Sequence, residues 1–413
     1  MKFRSFLVLA AAGCATLSLA EAQQSNQQHW VATWTTPQPM MRAQPPRPQA
    51  LSPAPTASTS SATPPAATPG TAPANPGPGR QGNPALRAIA TNGFKNQTVR
   101  MVVHTSIGGS RLRIRLENSF GADAVVIGSA HVALRATDSG IVPGSDHVVT
   151  FSGKPSTTIR SGVVILSDPV DLTFPNLGDL AVSLYLPEQT GPPAAHGGLH
   201  TSYVSKEGNQ TGEATIPEPI LVPSYYWLAG IDVMAPAAAA SIVTLGDSIT
   251  EGARSTPDTD HMWPALLSAR LLANKSTANL AVVDMGIGGN RLLRDGSGAS
   301  ALARLDRDVF SQAGVKWMTI LEGINDIGRV ANPTEDPLSA EDLIAGFQQI
   351  IERAHEVGIR VAGCTITPYG GAGYFSEKGE AIRQAVNTFI RGGAFDAVID
   401  FEAVTCPAKP VHS

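Results

Sequence analysis

From residue 237 onward, short apolar runs alternate with longer segments of helical periodicity. The runs fall at residues 242–245, 281–285, 317–321, 360–365 and 397–401, and the helical patterns at 263–272, 301–309, 340–356 and 377–391. Strands and helices in alternation bury their apolar faces as a parallel sheet with helices on both sides. This pattern constrains the second half of the chain to an open α/β layer structure. Its reactive groups are expected in loops at the carboxyl ends of the strands. Gly358 supplies a C-terminal stop for the third helical pattern.

The first run leads into Gly246-Asp247-Ser248-Ile249-Thr250-Glu251-Gly252. Glycine tolerates the tight turn and the close approach of a substrate that such a position demands. Gly-Asp-Ser also occurs in ordinary turns, so the later segments give it weight. The second run is followed by Met285-Gly286-Ile287-Gly288-Gly289-Asn290, and the third by Gly323-Ile324-Asn325-Asp326. Acyl transfer needs a nucleophile, a base and donors aimed at the developing oxyanion. Ser248 is the candidate nucleophile. Its own N–H, a glycine N–H from the second loop and the Asn325 side-chain amide are candidate donors. A dinucleotide fingerprint is broken in the second loop, because Arg291 occupies the final glycine position. Asp326 reads as a turn or capping group and Asp247 as a buried hydrogen-bonding residue. Glu322 reads equally as a crevice or a structural group. Tyr369, Gly370 and Gly371, after the fourth run, are placed to shape a pocket.

Upstream, residues 86–236 carry short β-branched or alternating segments at 99–104, 110–116, 125–127 and 180–186, separated by turn signals. This is the pattern of an all-β sandwich or jelly-roll-like domain. Residues 29–34 read as one more short strand, within an N-terminal segment 23–36. Residues 37–85 are dominated by Pro, Ala, Ser, Thr and Gly, and such composition predicts a disordered linker. His104 and His200 read as packing residues, as do Trp30, Trp34 and Trp227 in preference to sugar-stacking platforms.

Residues 1–22 read as a signal peptide. Lys2 and Arg4 precede an apolar run at 6–20, and Ala20-Glu21-Ala22 is a small-x-small cleavage site. Export to the periplasm or medium follows as the expectation. Lipoprotein cleavage at Cys14 is a poorer fit, since Ala11 suits that site badly. With Cys14 removed, Cys364 and Cys406 remain, and sequence does not tell whether they meet. No Cys or His spacing is of metal type. The formal net charge of −4 over 413 residues gives no electrostatic case for nucleic acid. No other segment reads as a membrane span.

Gly246-Asp247-Ser248, Gly289 and Gly323-x-Asn325-Asp326 together resemble the first three blocks of the SGNH hydrolases, also called GDSL-type esterases. The resemblance covers residues 237–401. It implies a flavodoxin-like three-layer domain with a five-stranded parallel sheet, and an acyl-enzyme mechanism on small-molecule or carbohydrate esters. It implies Ser248 as nucleophile, with Gly289 and Asn325 completing the oxyanion hole, and no metal or organic cofactor. Residues 103–110 are similar to the N-terminal domain of a secreted two-domain subgroup. The family's base lies in an Asp-x-x-His block after the last strand. Here residues 402–413 hold none, and Lys409 stands three residues before His412. His261 and His355 are poorly placed substitutes. The expectation is a hydrolase domain over 237–413 that lacks its base-bearing C-terminal block, with turnover impaired accordingly. The alternative is a carbohydrate-binding β domain joined to a disabled hydrolase domain.

Overall fold

The computed structural model describes residues 27–40, 84–329 and 338–405. Residues 1–22, read as a signal peptide, most of the expected linker, Cys406 and His412 lie outside the described residues. Residues 37–40, grouped with the linker by composition, are described, and the Gln38 side chain is buried.

Numbered along the chain, one antiparallel sheet runs β1 (Gln28–Thr35), β12 (Leu228–Pro236), β3 (Leu112–Glu117), β8 (Val164–Leu166). A second runs β11 (Ile220–Tyr226), β10 (Ala195–Val204), β2 (Gln97–His104), β9 (Asp179–Leu186), β5 (Ser129–Leu134), β6 (His147–Val148). A small pair, β4 (Val125–Ile127) and β7 (Thr157–Ile159), and a helix α1 (Pro84–Asn92) complete this domain. Period-two alternation sends Val99, Met101 and Val103 of β2 and Leu180, Val182 and Leu184 of β9 inward. There they share one core with Ile114, Leu116, Ile231 and Val233 of the facing sheet. Strand β1 is the edge of this sandwich, and pairs antiparallel with β12 across some 200 residues of sequence, from Gln28↔Pro236 to Thr35↔Gly230.

The second domain is a five-stranded parallel sheet in the order β14 (Leu280–Gly286), β13 (Ala240–Gly246), β15 (Val315–Leu321), β16 (Arg360–Cys364), β17 (Ala397–Ile399). The chain starts at β13, steps outward to β14 and then returns across to β15. The topological switch point therefore lies at β13, whose carboxyl end is Gly246. The helices are α2 (Ser248–Glu251), α3 (Trp263–Leu272), α4 (Ala301–Leu305), α5 (Ile324–Ile327), α6 (Ala340–Glu356), α7 (Glu377–Arg391) and α8 (Phe401–Thr405). In α6, Leu343, Phe347, Ile350, Ile351 and Ala354 repeat at helical spacing. They pack with Val243, Leu245, Met318, Ile320 and Val361 of the sheet. Ser339 and Asp342 form a capping box at its start, and Gly358 lies just past its end with φ +74°.

Two boundaries differ from the sequence pattern. The helix expected over 301–309 changes at Leu305 into a π turn, Asp306–Phe310. The wider turn brings Asp308 within 3.0 Å of Arg304. The strand expected over 397–401 ends at Ile399 because the Asp400 carboxylate accepts from Ala403 N–H at 3.1 Å, starting a helix. Among the described residues no helix is long and apolar enough to cross a membrane.

The domains meet along the edge strand β14. An exposed strand edge invites foreign pairing, and here side chains of the sandwich cover it. Ser106 Oγ accepts from Val282 N–H at 2.9 Å, Thr35 Oγ1 donates to Asp284 O at 2.9 Å, and His196 Nε2 lies 3.2 Å from Gly286 O. Alternate residues of β14 are thus satisfied by hydroxyl and imidazole groups in place of a sixth strand. Removing a buried partner leaves the full desolvation cost of the other group, about 1–3 kcal/mol. Ser106→Ala should therefore lower unfolding stability by about that amount in urea titrations. An unchanged midpoint would show that the Val282 N–H is satisfied some other way.

Candidate active site

Three loops meet at the carboxyl ends of β13, β14 and β15. Asp247 caps α2, its carboxylate accepting from Ile249 N–H at 2.8 Å, which turns Ser248 out of the strand. Gly246 has no substitute here, since a Cβ would lie 2.1 Å from Thr250 Oγ1 and 2.9 Å from Leu321 O. In the second loop Gly289 holds φ +77°, a left-handed conformation. Asn325 sits in α5, and its Nδ2 donates to Asn290 O at 2.9 Å. An amide nitrogen has two hydrogens. One ties Asn325 to the second loop, and Asp247 Oδ2 stands 3.5 Å from the same nitrogen. The Asp326 carboxylate accepts from Leu292 N–H at 2.7 Å and Leu293 N–H at 3.4 Å, which stitches the third loop to the second again. Ser248, Gly289 and Asn325, chosen from sequence, are therefore on three loops bound to one another. Asp247 is the buried hydrogen-bonding residue expected, whereas Asp326 does not cap its own short helix and binds the second loop instead.

The deeper support was missed. Arg304 is 1% exposed. Its Nε donates to Asn290 Oδ1 at 2.9 Å, its Nη1 to Met285 O at 2.6 Å and Asp308 at 3.0 Å, and its Nη2 to Gly246 O at 3.0 Å. The Glu322 carboxylate lies 3.6 Å away and has no hydrogen bond among the described residues. One planar guanidinium thus joins the ends of β13 and β14 and faces the end of β15. Nothing in the sequence marks it, because an arginine in a short helix reads as a surface residue.

The acids around this cation are themselves deeply buried. Burial pushes the Glu322 carboxyl well above its ordinary range, with the charge of Asp247 adding to it. Burial also raises Asp247 to about 7 and Asp326 to about 6. Glu322, left open on sequence, is a fully buried group beneath the crevice.

Tyr374 was also missed. It is half exposed, stacks on Tyr369 with centroids 5.7 Å apart, and its phenol is pushed up by burial and by the Asp247 carboxylate. Tyr369 is buried beneath it, so Tyr374 is the aromatic face presented near the crevice.

No imidazole bonds to the Ser248 hydroxyl among the described residues. His261 is exposed, and His355 pairs with Asp396 at 2.8 Å. An Asp-x-x-His string does occur, at Asp258-Thr259-Asp260-His261, and sequence reading passed over it. It lies in the loop after α2, where Asp258 accepts from Thr201 N–H and Oγ1 at 2.8 Å and Asp260 pairs with His200 at 2.8 Å. Those acids face the β domain.

Asp284, on the strand behind the second loop, gives a pH test. Burial first, then the charge of Glu251, raises it to about 8 from an ordinary 3.8. Between those values the folded chain keeps a proton that the unfolded chain releases, so stability falls as pH rises through that window. Asp284→Asn retains an acceptor for Gly286 N–H and cannot ionise. Thermal melts should show the variant equal to the parent near pH 4 and more stable near pH 9. A deficit of the same size at both pH values would contradict the raised carboxyl.

Residues 244–411 match the model of the GDSL-like Lipase/Acylhydrolase family. No curated protein matches the chain. Among solved structures, the crystal structure of an acetyl xylan esterase is 19% identical, with 40% of this chain and 78% of that one covered and a TM-score of 0.31. A variant of an acetyl xylan esterase from Geobacillus stearothermophilus is 19% identical, with 37% and 72% covered and a TM-score of 0.30. An alpha/beta hydrolase enzyme from the metagenome of Lake Arreo, Spain, is 21% identical, with 37% and 72% covered and a TM-score of 0.30. Likeness this distant carries no argument about activity. The matched span contains all three linked loops, and residues 244–411 form a domain of the GDSL-like, or SGNH, hydrolase type.

Proposed function

We propose that this chain is an exported serine ester hydrolase acting on acetylated carbohydrate, with short-chain lipid or aryl esters as poorer substrates. The observation that carries this reading is the bonded convergence of the Ser248, Gly289 and Asn325 loops, with Asn325 Nδ2 held on Asn290 O at 2.9 Å. Ser248 Oγ attacks the ester carbonyl carbon. The oxyanion takes hydrogen bonds from the N–H groups of Ser248 and Gly289 and from the Asn325 amide, whose second hydrogen exchanges its long 3.5 Å contact with Asp247 for the oxyanion. The tetrahedral adduct collapses, the alcohol leaves with a proton, and water then releases the acid from acyl-Ser248. The exposed ring of Tyr374 offers a face for a sugar. Lys2, Arg4, the apolar run behind them and Ala20-Glu21-Ala22 support export.

The proton on Ser248 needs an acceptor, and the Ser248 hydroxyl has none among the described residues. This favours a second reading, a carbohydrate-binding protein whose hydrolase domain is disabled. Losing one member of a catalytic triad leaves roughly 10³–10⁴-fold over water, from the oxyanion hole and binding alone. His412 is the imidazole to test first.

Turnover on a 4-nitrophenyl acetate and on an acetylated xylo-oligosaccharide separates the readings. The hydrolase reading expects acetate release that Ser248→Ala abolishes. It also expects Asn325→Ala to lower turnover about a hundredfold or more with an unchanged melting temperature. Release unaffected by Ser248→Ala would sink it. Saccharide binding without Ser248-dependent release would establish the second reading.

A further inference from the structure

On the side of the molecule where the β sandwich meets the loop after α2, two imidazoles face three carboxylates. His104 Nδ1 lies 2.8 Å from Asp179 Oδ1 and 3.5 Å from Asp260 Oδ2. His200 Nε2 lies 2.8 Å from Asp260 Oδ1, and His200 Nδ1 lies 3.6 Å from Asp258 Oδ1. Among the described residues the guanidinium bonded to these acids is that of Arg135, whose Nη1 donates to Asp179 Oδ2 at 2.9 Å. The other oxygen of Asp179 is turned towards His104.

Neutral imidazole has one N–H and one lone pair. In either neutral tautomer of His200 the lone pair faces a carboxylate. Its Nδ1 is buried without a hydrogen bond among the described residues, in a side chain 4% exposed. His104 must serve two carboxylates with a single nitrogen. Three carboxylates thus stand against one guanidinium and two imidazoles, with His104 and His200 each facing two of the carboxylates.

We propose that His104, Asp179 and Asp260 hold a divalent transition-metal ion of the zinc type, which joins the β sandwich to the loop behind Ser248. One donor atom from each of the three lies within 4.8 Å of the others. Imidazole nitrogen and carboxylate oxygen are ordinary zinc ligands. On binding, the His104 ring carries its one proton on Nε2, and the Nδ1 lone pair meets the ion. Asp260 offers Oδ2 to the ion while His200 grips its Oδ1, and Asp258 stands at the far nitrogen of His200. That is the outer arrangement by which carboxylates and imidazoles orient metal ligands. A cavity of about 70 Å³ lined by His104 and His200 opens beside the cluster, with room for water ligands and an entry path. The ligands come from positions 104, 179 and 260, so no local spacing announces them. Two belong to the sandwich, and Asp260 lies 12 residues after Ser248 in sequence.

The test uses the full chain stripped with a chelator and titrated with Zn²⁺ by calorimetry, alongside thermal melts. The expected result is one Zn²⁺ bound per chain and a raised melting temperature. Asp260→Asn and Asp179→Asn should abolish uptake. His200→Gln should weaken it about 10–100-fold, the usual effect of losing an outer partner. His131→Gln, which breaks the separate His131–Asp146 pair at 2.8 Å, should leave uptake unchanged. Absence of saturable uptake by the folded parent would overturn the site. Unchanged uptake by folded Asp260→Asn or Asp179→Asn would overturn it equally. The readout is ion binding, so it stands apart from whether the chain hydrolyses esters.

Discussion

The crevice depends on the buried guanidinium of Arg304. A parallel sheet delivers loops to one end of its strands but does not fix their relative heights to a fraction of an ångström. Here Arg304 donates to Gly246 O behind the nucleophile turn and to Met285 O and Asn290 Oδ1 on the second loop. Asn290 O in turn receives the Asn325 amide. Gly246, Asn290 and Asn325 are therefore linked through one planar group. Lysine carries the same charge but lacks the rigid fork needed to reach several acceptors at fixed angles. A charge buried this deeply is costly unless fully paired. Its neighbour Asp308 supplies opposite charge at 3.0 Å, and burial pushes the nearby Glu322 carboxyl well above its ordinary range.

The β sandwich is structurally part of the same unit. Its Ser106, Thr35 and His196 satisfy the outward-facing backbone of β14, the strand whose end carries the second loop. Ala32 N–H also donates to Ala313 O at 2.8 Å, and Ser106 Oγ pairs with Ser268 Oγ of α3 at 2.7 Å. Without the sandwich, β14 would be a bare edge beside the crevice. The cluster of His104, His200, Asp179 and Asp260 adds a second join, on the loop that follows the nucleophile turn.

Much of this was legible in the sequence, for physical reasons. The parity of Val243, Leu245, Met318 and Ile320, and the helical spacing of Leu343, Phe347 and Ile350, state which faces must be buried. Glycines at 246 and 289 mark places where a side chain does not fit. What stayed hidden depends on contacts between distant positions. The pairing of β1 with β12 joins residues 28–35 to residues 230–236, and no local pattern encodes it. Arg304 and Glu322 are polar letters whose burial follows only from the assembled strand ends. Tyr374 is an ordinary loop aromatic until Tyr369 packs beneath it. Asp258-Thr259-Asp260-His261 has the spacing of a base block, yet its acids are drawn to Thr201 and His200 of the other domain.

Hydrogen exchange tests the central claim without reference to activity. Local opening exposes amides in contiguous cooperative units. In Arg304→Lys, compared with the parent chain, peptides covering residues 243–252, 283–292 and 320–328 should lose protection together. Peptides covering β2 and β9 of the sandwich should exchange as before. Unaltered protection at all three strand ends in a folded Arg304→Lys chain would contradict the account.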